Sequence, residues 1–167
     1  MNVRNLARAA FAVSAGTGLV LACCGAVAAA TPTRFPAEFH GTGTVDCGTF
    51  QDNYVDDFSG QGSVFSNAAG EPIRIVIHWT HTSTDTNSVT GLALHEHGHF
   101  TETIDLASGT DTYTGSQEVM NRRGYGLIIQ DTWRQVYDAD GKLLFFAGGR
   151  KHSEVLVGDQ LFCDGLA

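Results

Sequence analysis

Three of the chain's seven histidines alternate along the segment GLALHEHGHF, at His95, His97 and His99. Neutral imidazole is a common ligand of zinc and copper ions. Alternate side chains of a β-strand lie on one face, so these rings would share one side of a sheet. The spacing therefore indicates either a metal site or a polar, solvent-facing strand.

A hairpin predicted around residues 86–87 supplies a neighbouring strand. It pairs Ile73–Ser83 with Val89–Phe100 and places His78 directly opposite His95. One face of this hairpin is rich in Ile, Trp, Leu and Phe, and it must be the core side because no other face could bury as much apolar surface. The histidines fall on the other, polar face, which is expected to meet water.

The candidate metal site consists of His78, His95 and His97, with Zn²⁺ or copper as the ion. Opposite Cβ atoms are about 4.5–5.5 Å apart and alternate residues about 6.5–7 Å apart, so three rings at these positions could meet one ion. The arrangement resembles, over three residues only, the His-x-His and neighbouring-strand histidine of the carbonic anhydrases. An exposed convex face has no walls to exclude water and no fixed groups to orient the rings, so a solvent-facing strand or a subunit contact is the preferred interpretation.

The second candidate site is the predicted inner face. Trp79 and Glu96 point inward on the hairpin, and Asp131 and Trp133 do so on the strand Leu127–Tyr137. A carboxylate buried among apolar groups is costly unless it is paired. These residues therefore predict either an internal ion pair with a basic side chain of the next strand, or a pocket in which polar anchors hold a small apolar ligand.

The acidic segment DNYVDD is ambiguous. As a strand it places Asp52 and Asp56 on one face and Asp57 on the other. The preferred interpretation is a solvated acidic face, and the alternative is a weak cation site.

The elements that would position both sites are β-strands, because turn-forming residues recur about every 10–15 residues and no convincing long helix follows residue 30. Eight strands are expected, near Ala37–Val45, Thr49–Phe58, Gly62–Ser66, Ile73–Ser83, Val89–Leu106, Thr112–Asn121, Leu127–Tyr137 and Leu143–Lys151. Short turns between them predict an antiparallel meander, and about eight such strands close naturally into a small barrel without exposed edges. A two-sheet β-sandwich is the alternative.

Residues 1–30 are expected to be a secretory signal peptide. Two arginines precede the apolar run Ala9–Ala22, and alanines occupy the small-residue cleavage positions before residue 31. The run is too short and too rich in Gly and Ala for a transmembrane anchor. The alternative is a lipoprotein signal cleaved before Cys23, which would leave the protein attached to the cell envelope.

Residues 31–167 are expected to form a single β domain. Their eight basic and 18 acidic residues give a net charge of −10, which argues against nucleic acid or an anionic membrane as partner. Cys47 and Cys163 remain after the predicted cleavage, and an exported chain meets an oxidising environment, so a disulfide is expected between them.

Three segments carry a resemblance to known proteins: CGTF through GEPIRIVIH, DLASGTDTYTG, and LIIQDTWRQVYDADGKLLFFAGG. They resemble a group of small, uncharacterised secreted β proteins of bacteria. The resemblance covers most of residues 31–167 and implies export and a β fold, but no activity and no site residue. Calycin-like and allene-oxide-cyclase-like barrels are an architectural analogy only, since a fold does not fix a function.

Three functions follow from these patterns. The preferred one is a secreted, non-catalytic barrel that binds a small apolar molecule, because the chain has neither a GxSxG elbow nor a glycine-rich phosphate loop before a helix. The second is a metal-binding protein or metal-dependent enzyme at the three histidines. The third is an envelope-attached structural or interaction protein.

Overall fold

The structure is a computed structural model that describes residues 31–148, 158 and 160–167. The expected signal peptide at residues 1–30, with Cys23, lies outside the described residues, as does the predicted last strand beyond residue 148. Within the described part of the chain, no helix has the length and apolar character needed to cross a membrane.

The described chain is all-β, as predicted. Seven strands form one antiparallel sheet in which each strand pairs with the next, followed by a short helix. The elements are β1 (Thr33–Asp46), β2 (Gln51–Ser66), β3 (Pro72–Asn87), β4 (Ala93–Asp105), β5 (Asp111–Arg122), β6 (Gly126–Tyr137), β7 (Leu143–Gly148) and α1 (Gln160–Leu166). The seven strands belong to one sheet rather than two, and among the described residues β1 does not pair with β7, so a closed barrel is not shown.

One predicted break in the sheet is wrong. The segments expected as two strands, Thr49–Phe58 and Gly62–Ser66, form the single strand β2. Its glycines give room to aromatic rings instead of ending the strand. A Cβ atom on Gly62 would lie 2.1 Å from the ring of Phe35, and one on Gly60 would lie 2.5 Å from the backbone oxygen of His78 on β3.

The register predicted for β3 and β4 is also wrong, by six residues. The turn follows Asn87, whose side-chain oxygen accepts the backbone N–H groups of Val89 and Thr90 at 2.9 Å. Gly91 completes the turn with a φ of +72°. Residues 86–87, which were predicted to form the turn, are therefore the last residues of β3. Because the shift is even, each side chain keeps its predicted face.

The inner face of the sheet carries two apolar clusters. The first contains side chains from β1 to β6, and the second contains side chains from β4 to β6 and from α1. The first consists of Ala37, Phe58, Ile77, Trp79, Phe100, Tyr113 and Trp133, with Phe35, Phe39 and Phe146 packed against it. The second consists of Leu94, Met120, Ile128, Ile129, Phe162 and Leu166. Side chains from the first to the last strand share one cluster, so the sheet curves around them.

Three interactions hold α1 against the inner face of the sheet. Cys163 of α1 forms the predicted disulfide with Cys47, which lies between β1 and β2. The side-chain amide of Asn87 donates to the carbonyl oxygen of Leu166 at 3.1 Å. Arg122 donates to the carbonyl oxygen of Gly165 at 2.7 Å. These bonds satisfy the carbonyls that a helix leaves without partners at its C-terminus.

We expect the double substitution Cys47→Ser/Cys163→Ser to lower the free energy of unfolding by about 2–5 kcal/mol, because the bridge closes a loop spanning a sequence separation of 116. Urea denaturation of both proteins, with and without reductant, measures the effect. Reductant should destabilise the wild type to the level of the variant and leave the variant unchanged. An identical denaturation midpoint for reduced and oxidised wild type would contradict this prediction.

Candidate functional site

The histidines lie on the outer face, as predicted, but not beside one another. His78 pairs with Thr101, and their side chains are 3.0 Å apart between Nδ1 and Oγ1. His95 pairs with Thr84 at 3.1 Å. The predicted contact between His78 and His95 is therefore wrong, because six residues of extended strand, about 20 Å, separate His95 from the position opposite His78. These rings do not reach one ion together with His97.

The four residues of the predicted pocket, Trp79, Glu96, Asp131 and Trp133, are all buried on the inner face. The two tryptophans belong to the first apolar cluster. The parity of the strands placed these side chains inside, and the structure confirms that orientation. Whether they hold a ligand stays a prediction.

The predicted solvent exposure of the acidic segment of β2 is wrong for two of its three carboxylates. Asp52 and Asp56 are buried, whereas Asp57 is exposed and bonded to His40 at 2.8 Å. Burial raises the pKa of Asp52 to about 6, although the backbone N–H of Thr86 donates to its carboxylate at 3.0 Å and acts in the opposite direction. The burial of Asp52 and Asp56 could not be predicted from the sequence pattern, because an acidic stripe is typical of a solvated face.

Glu102 accepts two hydrogen bonds inside the first apolar cluster. Trp79 Nε1 donates to one carboxylate oxygen at 2.7 Å, and the Tyr113 hydroxyl approaches the other at 3.1 Å. The same hydroxyl lies 2.7 Å from Asp111 Oδ2. One phenolic proton cannot serve both carboxylates. Since Trp79 already donates to Glu102, the arrangement favours a protonated Asp111.

The electrostatics agree with that assignment. Burial, and then the negative charge of Glu102, raise the pKa of Asp111 to about 7. Burial and the two neighbouring carboxylates also raise the pKa of the Tyr113 hydroxyl. Glu102 shares the inward parity of Glu96, which was visible in the sequence. Asp111 begins β5, and nothing in the sequence linked it to Glu102.

Two buried donors on β6 have no hydrogen-bond partner in the described part of the chain: Trp133 Nε1 and Gln135 Nε2. These residues are two apart on the strand, so both face the interior, about 6.5–7 Å apart. The Tyr113 ring packs edge-on against Trp133, with centroids 6.5 Å apart. An unsatisfied buried donor costs about 1–3 kcal/mol, so such a pair calls for an explanation.

Comparison of the chain with protein-family models, with curated proteins and with solved structures finds no match. The function of the protein is therefore inferred from the chemistry of the inner face.

Because the native pKa values of Asp52 and Asp111 lie above their ordinary value of 3.8, the folded state keeps protons that the unfolded chain releases. Their contribution to stability is full below about pH 4 and is lost as the pH rises through about 6 to 7. We expect a higher free energy of unfolding at pH 5 than at pH 8, measured by urea denaturation. Asp111→Asn should stabilise the protein at pH 8 by roughly 1–2 kcal/mol and reduce this difference.

The exposed carboxylate Glu38 supplies the matched control, and Glu38→Gln should leave the pH dependence as it is in the wild type. An Asp111→Asn protein that is less stable than the wild type at pH 8 would contradict the prediction, because it would show that the fold stabilises the ionised carboxylate of Asp111 and does not raise its pKa.

Proposed function

We propose that the protein is an exported, non-catalytic binding protein. Its curved sheet closes into a small barrel that holds one small, mostly apolar molecule bearing a hydrogen-bond acceptor. The observation that carries the proposal is the pair of buried donors on an aromatic inner face, Trp133 Nε1 and Gln135 Nε2, which have no hydrogen-bond partner among residues 31–148, 158 and 160–167. Ligand sites in small barrels combine apolar walls with a few polar anchors of this kind.

The aromatic surroundings support an apolar ligand body. Trp79, Phe100, Tyr113 and Trp133 follow one another along the inner face, with successive ring centroids 6.1–6.5 Å apart. Of their polar atoms, Trp79 Nε1 and the Tyr113 hydroxyl are already bonded to carboxylates. The donors left over are those of β6, so the polar end of the ligand would lie against β6.

The closure of the sheet into a barrel and the export of the protein are supported by different observations. Phe35 and Phe39 of β1 and Phe146 of β7 pack against the same apolar cluster, which is consistent with the two edges of the sheet approaching each other. A small barrel removes exposed strand edges. The Cys47–Cys163 disulfide suits an oxidising compartment, in which such bonds persist.

A pair of matched ligands tests the proposal. Acetophenone carries a carbonyl acceptor on an aromatic ring, and ethylbenzene has nearly the same shape without the acceptor. We expect calorimetric titration to show saturable 1:1 binding of acetophenone, and binding of ethylbenzene weaker by about tenfold, since one hydrogen bond contributes about 0.5–1.5 kcal/mol. Absence of binding by either compound, or equal affinity for both, would contradict the proposed site.

The two tryptophans of the chain provide matched variants. Trp133→Phe removes an unbonded donor, so it should reduce the preference for acetophenone. The smaller ring packs less well, but removal of the unsatisfied group offsets part of that loss of stability. Trp79→Phe removes the donor to Glu102 and should destabilise the fold more strongly while leaving the ligand preference intact. Urea denaturation and calorimetry together measure both effects. The reverse pattern would place the anchor at Trp79.

A further inference from the structure

A mixed cluster of metal-ligand side chains lies on the inner face, and neither the predicted histidine site nor the proposed ligand site uses it as a unit. It consists of His81 of β3, Glu96 of β4 and Glu118 of β5, which come from three successive strands. One ligand atom from each residue lies within 4.8 Å of the other two. His81 and Glu96 are buried and Glu118 is half-buried.

The local backbone brings Glu118 into this cluster. The pairing of β4 and β5 shifts between His97 and His99, and β5 bulges between Ser116 and Glu118. A bulge changes the direction in which the following side chains point, which is why strand parity alone could not locate Glu118. Gly98 makes the bulge possible, because a Cβ atom there would lie 1.7 Å from the Gln117 carbonyl oxygen.

The surroundings of His81 fix the orientation of its ring. The side chain is 2% exposed, and the ring stacks on Phe58, with centroids 4.1 Å apart. The Gln117 carbonyl oxygen lies 3.3 Å from Nδ1, and a carboxylate oxygen of Asp56 lies 3.3 Å from Nε2. Contacts of this kind orient metal-bound histidines through the ring nitrogen that does not bind the ion.

A second observation favours a cation at this end of the inner face. Asp56 Oδ1 lies 3.3 Å from His81 Nε2, and Asp56 Oδ2 is buried with no partner among the described residues. Asp56 itself is 4% exposed. Its buried carboxylate therefore lies directly beside His81, and a cation held by the cluster would reduce the cost of burying it.

We propose that His81 and the carboxylates of Glu96 and Glu118 bind one divalent transition-metal ion. One imidazole with carboxylate oxygens suits Zn²⁺, at bond lengths of about 2.0–2.2 Å. Side-chain rotations that bring the ligand atoms closer by about 1–1.5 Å would complete the coordination. The ion balances charge among carboxylates that the sheet holds away from water, so its role is to stabilise the inner face.

The test is a titration of the EDTA-treated protein with Zn²⁺, with metal content measured after dialysis. We expect one tightly held Zn²⁺ per chain and a rise in thermal midpoint on binding. Glu118→Gln keeps the shape of a half-buried side chain and should weaken binding at least tenfold. Glu96→Gln should do the same. Circular dichroism establishes that each variant folds.

The outer-face histidines provide the matched control, because an alternating histidine strand can chelate metal by itself. The triple variant His95→Ala/His97→Ala/His99→Ala should retain the tightly held ion with unchanged affinity. Loss of that ion in the triple variant together with its retention in Glu118→Gln would overturn the proposal in favour of surface chelation. Absence of tight binding by the wild type would also overturn it.

A third readout does not depend on any variant folding. Nitrogen NMR of the histidine rings should show one ring nitrogen of His81 bound to zinc in the loaded protein, and a change confined to that ring on removal of the metal. A His81 ring that is unchanged by Zn²⁺ would refute the assignment even if the ion binds elsewhere. The proposed small-molecule site is untouched by this outcome, because its donors lie on β6.

Discussion

Burial of carboxylates inside a curved sheet is the constraint that organises this protein. In the described part of the chain, six acidic side chains are buried, namely Asp52, Asp56, Asp85, Glu96, Glu102 and Asp131, and Asp111 is partly buried. A desolvated carboxylate is tolerated only when it is protonated, hydrogen-bonded or paired with a positive charge. The inner face uses the first two of these solutions at different places. The backbone N–H of Thr86 donates to Asp52, the Trp79 indole and the Tyr113 phenol donate to Glu102, and burial favours the protonated form of Asp111.

The interior is accordingly layered rather than uniformly apolar. Aromatic rings occupy one end, the second apolar cluster and α1 occupy the other, and His81 with its acidic neighbours lies between them. Such a polar layer is an expensive way to fill a core, since well-packed apolar residues of the same volume are often at least as stable. The polar layer is therefore stable only together with the hydrogen bonds, protons and ion pairs that compensate its carboxylates.

Strand parity could be predicted from the sequence, and pairing could not. Alternation placed Trp79, Glu96, Asp131 and Trp133 inside, and burial confirms it. The register of β3 and β4 depended on which of several turn-forming residues makes the turn, and Asn87 makes it with its own side chain. Bulges are equally invisible, because they arise from contacts between strands. The acidic pair of β2 was misplaced because charge normally indicates exposure, and here the curved sheet encloses it.

The pairing of each strand with its successor has a consequence for the kinetics of folding. Among the described residues, the strand pairings join neighbours in sequence, so contact order within this part of the sheet is low for a β protein, and hairpin formation need not wait for distant segments. The Cys47–Cys163 bond is a long-range connection in the same part of the chain. Because the bond also closes a loop in the unfolded chain, oxidation holds α1 near the segment between β1 and β2 before the sheet has formed. After reduction, α1 must find its place across a sequence separation of 116, and the entropy of closing that loop is lost during folding.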